Sequence, residues 1–261
     1  MPESVSFDRA ADFYDDTRKL SESVARAVTA ALASELETAG ADHLLEIGIG
    51  TGRITRPLMK RGVRVTGIDI SSLMMGRLLS QLTPQHRTPD LLLADATTLP
   101  FRDRSIPAIL AVHVLHLVSS AEKAIDEMRR ILAPGGIFLH QTHRDTDRLS
   151  ASGAKWDEML KARGYRMPAR STFASSRSIL EGTGAEAAVR EIATEEITLE
   201  PSRILKDTKE RIHSWTWRIP GEVFDDCWPE YQRWFQGHYG DRPIQEHVTY
   251  LLEIWRSPDR P

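Results

Sequence analysis

Leu44-Leu45-Glu46-Ile47-Gly48-Ile49-Gly50-Thr51-Gly52 is the stretch from which the fold of this 261-residue chain can be read. A run rich in leucine and isoleucine carries an acidic residue near its end, and three glycines then alternate at spacing two. Such a run predicts a buried strand that turns sharply into a loop a ligand can approach closely. A helix-like stretch, Arg53–Arg61, follows at once, so the loop is expected at a helix N-terminus. A dinucleotide fingerprint, G-x-G-x-x-G, would need its third glycine at position 53, which is Arg53 here. A phosphate-cradling loop would end in Gly-Lys-Ser/Thr, which is also absent. The loop therefore predicts a nucleoside-like ligand without a pyrophosphate.

Outward from that loop, strands and helices alternate. A helix over 20–38 with Ser21 as N-cap precedes the first strand, 43–48. A second strand, 63–68, ends at Asp69, and Ser71 or Ser72 caps a helix over 72–82. Leu91-Leu92-Leu93 is a third strand ending at Asp95, and Ala108–Val112 is a fourth. A helix near 119–132 is closed by Pro134-Gly135-Gly136, and Ile137–Thr142 is a fifth strand. This rhythm implies right-handed crossovers and a parallel sheet. Helical pieces near 153–163 and 175–182 then lead to strands at 188–199 and 247–256. Residues 201–244 between those two strands are too many for a plain loop. They hold eight of the chain's eighteen aromatic residues, among them Trp215, Trp217, Phe224 and Trp228. The expected domains are 1–200 plus 245–261, carrying the sheet, and a helical insert, 201–244, serving as a substrate lid.

The bulk numbers exclude several classes. The formal charge is −3 with no block of like charges, which argues against a nucleic-acid partner. Cys227 is the only cysteine, so neither an internal disulfide nor a cysteine-based metal cage is available. Met1–Ala11 lacks the apolar core of a signal peptide, and no stretch is long enough to span a membrane. The expectation is a soluble, cytoplasmic protein of unspecified oligomeric state.

In an open parallel sheet the ligand lies beyond the carboxyl ends of the strands. Three acids fall there. Asp69 follows Gly48 by twenty-one residues, the separation of a carboxylate that accepts from ribose hydroxyls. Asp95 can accept from an exocyclic amine, and Glu46 precedes the glycine turn. One acid at a strand end is commonly a helix cap; three in this order point to a ligand.

Leu44–Gly52, Gly67-Ile68-Asp69-Ile70-Ser71, Leu93-Ala94-Asp95-Ala96 with Leu99-Pro100-Phe101, Val112–Leu117 and Leu132-Ala133-Pro134-Gly135-Gly136 resemble, in order, the motifs of class I S-adenosylmethionine-dependent methyltransferases. The closest likeness is to the ubiquinone/menaquinone-biosynthesis-like subgroup, over about residues 7–143. The resemblance implies an α/β fold: a Rossmann-like, seven-stranded, mostly parallel sheet with the last strand antiparallel, flanked by helices. The aromatic-rich helical insert would lie between its last two strands. It implies S-adenosylmethionine as cofactor and a small-molecule methyl acceptor as partner. Carried over, Gly48, Gly50 and Gly52 line the cofactor, Asp69 binds the ribose, and Ile70 lies on the adenine. Asp95 and the Ala96 backbone read the adenine amine, His113 flanks the methionyl portion, and Glu46, just before the glycine turn, is counted among the cofactor-binding residues. Phe13–Arg18 resembles the family's Tyr-x-x-x-Arg segment, so Tyr14 and Arg18 close over the cofactor, with Arg18 suited to its carboxylate. The family usually has Ser-Phe-Asp before strand four; this chain has Ser105-Ile106-Pro107.

Methyl transfer to a hydroxyl or protonated amine also requires a base. His113, His116, His140 and His143 all fall near the carboxyl ends of strands four and five; His116 and His143 are the expected catalytic pair. Residues three apart in a strand face opposite ways, so neither His-x-x-His pair is pre-arranged for a metal and none is expected. A nicotinamide-dependent oxidoreductase on the same fold is the alternative enzyme. A non-catalytic relative that docks a macromolecule through the aromatic insert is the other alternative.

Overall fold

The computed structural model describes residues 4–167 and 186–258. The expected helical piece at 175–182 lies outside them. The described residues form two compact units: the first holds 4–143, 186–193 and 250–258, the second 144–167 and 194–249.

The chain enters through a short helix α1 (Tyr14–Thr17) and a long one, α2 (Glu22–Thr38), whose Ser21 hydroxyl accepts from the Val24 amide at 3.3 Å. Then follow β1 (His43–Ile47), α3 (Arg56–Lys60), β2 (Arg64–Asp69), α4 (Ser72–Ser80), β3 (Asp90–Leu93) and β4 (Ile106–Val112). Next come α5 (Ala121–Ile131), β5 (Leu132–Asp145), α6 (Ser150–Ala162) and β6 (Glu186–Leu199). Three helices, α7 (Pro201–Lys209), α8 (Ser214–Trp217) and α9 (Gly221–Tyr239), fill the interval before β7 (Ile244–Arg256).

The strands make one seven-stranded sheet in the order β3-β2-β1-β4-β5-β7-β6. Its first five members are parallel, with Leu44 beside Val65 on one side and Ala108 on the other. β7 runs antiparallel to both its neighbours. The Ser257 amide bonds to the Gly136 carbonyl and the Thr146 amide to the His247 carbonyl, so one number rises along the pair as the other falls. The order reverses between β1 and β4, which sets the ligand crevice beyond their carboxyl ends. The hydrophobic reason for this arrangement is visible in β1: Leu44, Leu45 and Ile47 are completely buried, as a strand covered on both faces must be.

Two local expectations are corrected. The helix after the glycine loop begins at Arg56, not Arg53; residues 53–55 are a turn. Pro57 suits the first turn of a helix, and the glycines before it hold left-handed angles that no helix continues. The resulting five-residue helix does not abut the loop. Second, Pro134-Gly135-Gly136 is no break between helix and strand, because β5 begins at Leu132. The tripeptide is absorbed as a bulge: Ile106 pairs Leu132, yet Ala108 already pairs Ile137. Pro107, which has no amide proton to give, sits at the shift.

The second unit has a core of its own. Trp156 stacks on Phe224 at 5.1 Å and lies 4.7 Å from Tyr231, whose hydroxyl meets Ser152 at 2.6 Å. Trp156, Ile219, Phe224, Cys227, Tyr231 and Phe235 are all buried there. Much of the insert's aromatic content is therefore core. Trp215 and Trp217 lie in a helix, so they diverge: Trp215 packs on Trp156, and the Trp217 indole donates to the Arg211 carbonyl at 2.6 Å.

Candidate active site

The loop after β1 needs glycine for two separate reasons. Gly48, Gly50 and Gly52 have φ of 69°, 54° and 65°, a region costly for residues bearing a Cβ. The space beside two of them is also taken. A Cβ on Gly48 would stand 2.5 Å from Val114 Cγ2, and one on Gly52 2.5 Å from Leu78 Cδ1. The protein's own side chains thus fix the loop, which presents its backbone elsewhere.

Asp69, at the end of β2, ties that loop to the next. Its Oδ2 accepts from the Gly50 amide and its Oδ1 from the Ser71 amide, each at 2.8 Å. Burial raises its pKa, against the pull of those amides. Ser71 caps α4 through the Met74 amide at 3.1 Å. Ile70 between them is half-buried. Asp95 beyond β3 behaves oppositely. Burial raises its pKa, but hydrogen bonds from the Thr97 amide and hydroxyl and from Ser4 outweigh it, and the net shift is downward. Ala96 behind it is buried.

Glu46 is 2% exposed, and its Oε2 has no hydrogen-bond partner among the described residues. Burial pushes its pKa up to about 8. The neighbouring Thr55 hydroxyl pulls the other way without closing a hydrogen bond, since Thr55 Oγ1 also lacks a partner. A buried carboxyl oxygen without a partner carries a desolvation cost that a bound donor would relieve.

The N-terminal segment runs over these loops, a feature the sequence reading carried only in Tyr14 and Arg18. Ser4 donates to Asp95 at 2.7 Å and accepts from the Ser119 amide at 3.0 Å. Asp8 accepts from the Ser71 hydroxyl at 2.5 Å, and Asp15 from Thr51 at 2.6 Å and Gln81 at 2.9 Å. Tyr14 meets Phe7 edge-on at 5.6 Å. Burial raises the Tyr14 pKa, opposed by the charges of Arg53 and Arg18. Arg53 donates to the Arg18 carbonyl at 2.5 Å. Its charge also acts on Glu46 and His113, a part the sequence did not suggest, where Arg53 marked a missing third glycine and the expected start of a helix. A cavity of about 240 Å³ beside it is lined by Asp15, Lys19, Ile54 and Arg56 and takes in none of the three strand-end acids.

The four histidines do not group along the chain as written. His140 is buried on β5, with Nδ1 2.9 Å from Glu253 Oε2 on β7. His113 and His143 meet instead, across adjacent strands: Nε2 and Nδ1 are 3.3 Å apart and the rings 4.7 Å. His113 holds a φ of 48°, is partly buried, and has a pKa well below 6.5, from burial first and then from neighbouring charges including His143 and Arg53. His116, one turn on, is near enough to contribute to that shift. Among the described residues no group of three or more His, Cys, Asp or Glu is arranged to hold a metal ion.

The residues present fit S-adenosylmethionine: a loop fixed at three glycines, carboxylates at the ends of β2 and β3, a buried acid with an unpartnered oxygen, and the Arg53 charge acting on it. Comparison with known proteins agrees. A family model described as a methyltransferase domain matches residues 45–140. A phosphatidylethanolamine N-methyltransferase of Cereibacter sphaeroides is 31% identical over 152 residues, 57% of this chain and 72% of that protein. A demethylmenaquinone methyltransferase of Tropheryma whipplei is 40% identical over 100 residues, 38% of this chain and 40% of that one. The fold matches the structure of a putative sarcosine dimethylglycine methyltransferase from Galdieria sulphuraria, with a TM-score of 0.56 and 17% identity over 97% of this chain and 99% of that one. Nothing in these findings favours an oxidoreductase or a non-catalytic docking protein. The chain belongs to the class I S-adenosylmethionine-dependent methyltransferases, and S-adenosylmethionine is its cofactor.

Proposed function

We propose that the enzyme methylates a small molecule at an oxygen, nitrogen or carbon atom from which a proton must leave. When bound, the cofactor supplies a methyl group on a sulfonium, open to in-line displacement. Asp69 would receive the ribose hydroxyls, with Ile70 against the adenine and Asp95 and the Ala96 backbone at its amine. Glu46, Gly48, Gly50 and Gly52 would line the methionyl end beside His113, and Arg18 and Arg53 would hold its carboxylate behind Tyr14. Proton removal falls to the histidines at the mouth of β4 and β5, where His116 and His143 are the residues the sequence singled out. The protein's main contribution is alignment, which can be worth about 7–11 kcal/mol of barrier. The observation that supports this reading is that Arg53 acts on both Glu46 and His113, while Asp69 is tied to the glycine loop at Gly50 and His113 faces His143. The relatives named for phosphatidylethanolamine and demethylmenaquinone are both named for acceptors that are not macromolecules.

Calorimetry with S-adenosylmethionine tests the cofactor site. Asp69→Ala should weaken binding about 10- to 100-fold, the worth of hydrogen bonds to a charged acceptor. Incubation with methyl-labelled cofactor and a metabolite extract tests the acceptor. Label appearing in a low-mass product supports the proposal, and label confined to protein or nucleic acid sinks it.

A further inference from the structure

We propose that His113 is the base that removes the acceptor's proton, and that His143 relays the proton from it to solvent. This rests on the methyl-transfer reading above and assigns roles within its site. Three structural facts carry it. First, His113 sits immediately after β4, in the left-handed backbone region at φ 48°, where a residue other than glycine is uncommon. That conformation is kept at a cost and clusters at functional positions. Second, its Nε2 faces His143 Nδ1 at 3.3 Å, and among the described residues no hydrogen bond is seen at its Nδ1. One nitrogen is engaged and the other is available. Third, the pair spans a gradient of exposure, because His113 is partly buried and His143 is exposed. His140, by contrast, spends Nδ1 on the buried Glu253.

The groups facing His113 favour a neutral ring before reaction. Arg53 on the glycine loop, His116 on its own loop, and His140 and His143 on β5 all act to lower its pKa, after burial itself. Tyr250 on β7 packs against the far partner, its ring 6.1 Å from that of His143. A neutral His113 protonated at Nε2 and bare at Nδ1 is the form a base requires.

The step balances without a further reactant. The acceptor's O–H, N–H or C–H proton passes to His113 Nδ1 as the acceptor's electron pair forms the new bond to the methyl carbon. The carbon–sulfur electron pair stays on sulfur. His113 gives its Nε2 proton to His143 Nδ1, and His143 gives its Nε2 proton to water. Both imidazoles end neutral with the tautomers exchanged, and rotation or re-protonation from water resets them. His113 is thus a catalytic residue, and His143 acts through it.

Side-chain nitrogen spectra of the full chain with 15N-labelled histidine test this without an acceptor. His113 is expected neutral at about pH 7, with its proton on Nε2 and Nδ1 bare. His143→Asn should move the His113 Nε2 resonance and its titration. His113→Asn, a substitution that tolerates the left-handed backbone, should shift the titration of His143 in turn. A proton resident on His113 Nδ1, a charged His113 at about pH 7, or a His113 indifferent to His143→Asn overturns the relay. Calorimetry with S-adenosylmethionine on the same samples separates the two readings. Absent binding by wild type refutes the site itself, whereas intact binding with any of the three spectral failures refutes only the relay. Exposed His143 makes His143→Asn a variant expected to fold, with circular dichroism as the check.

Discussion

Replacing Glu46 by glutamine should change how stability depends on pH. Burial holds this carboxyl protonated up to about 8, against an ordinary value of 4.5. The unfolded chain therefore releases the proton above its ordinary value while the folded protein keeps it. Unfolding in that window liberates a proton, so rising pH favours the unfolded state. The stability is fully present below about pH 4.5 and is lost progressively until the folded carboxyl ionises near pH 8. Each pH unit in the window is worth about 1.36 kcal/mol, so the loss is on the order of 5 kcal/mol. Glu46→Gln has no proton to release and escapes it. Asp69, whose pKa is also raised by burial, contributes to both proteins and largely cancels in the difference. Urea unfolding at steps from about pH 5 to about pH 9 is the assay, with equal m-values required before comparison. The advantage of Glu46→Gln over wild type should grow with pH and level off past about pH 8. A difference that stays constant within about 1 kcal/mol across the series would refute the reasoning. The same acid should expel its proton when the cofactor's ammonium approaches. Binding heats at about pH 7 should then depend on the buffer's ionisation enthalpy in wild type and not in Glu46→Gln.

Gly48→Ala should lower stability by about 2–4 kcal/mol, because a left-handed angle and a 2.5 Å approach to Val114 combine. Gly40→Ala, with a similar φ of 61° and open space around it, should cost only about 1–2 kcal/mol; equal losses in chemical denaturation would deny that packing matters at Gly48. Arg53→Gln should raise the pKa of both His113 and Glu46, since its charge lowers each; unchanged imidazole titration would remove Arg53 from the centre of the site. In the second unit, Trp156→Ala should cost about 3–5 kcal/mol and Tyr231→Phe about 1 kcal/mol; near-equal losses would contradict the stacking on Phe224 as the main support.

Much of the scaffold was legible because it is encoded locally. The run of apolar residues around Leu44 and Leu45, the hydroxyl caps at Ser21 and Ser71, and acids at the ends of β2 and β3 each declare themselves within a few residues. The errors were local as well. The proline-glycine-glycine tripeptide reads as a stop, and only pairing with β4 makes it a bulge. Likewise, Arg53–Arg61 has a helical composition, yet the left-handed loop delays the helix to Arg56.

What the amino-acid sequence determined by itself is the alternation of strand and helix, the glycine loop, and the acids that name the donor. Those follow from periodicity and backbone sterics, which act over a turn or a strand length. What only the tertiary structure decided is which distant groups meet. Ser4 reaches Asp95 across 91 positions, and His113 finds His143 across 30. Register between β4 and β5, held by the packing of the sheet, brings His113 to His143, whereas Ser4 reaches Asp95 because the N-terminal segment runs over the loops. The titration of Glu46 is decided in the same way, because desolvation belongs to the folded interior and has no counterpart in the extended chain.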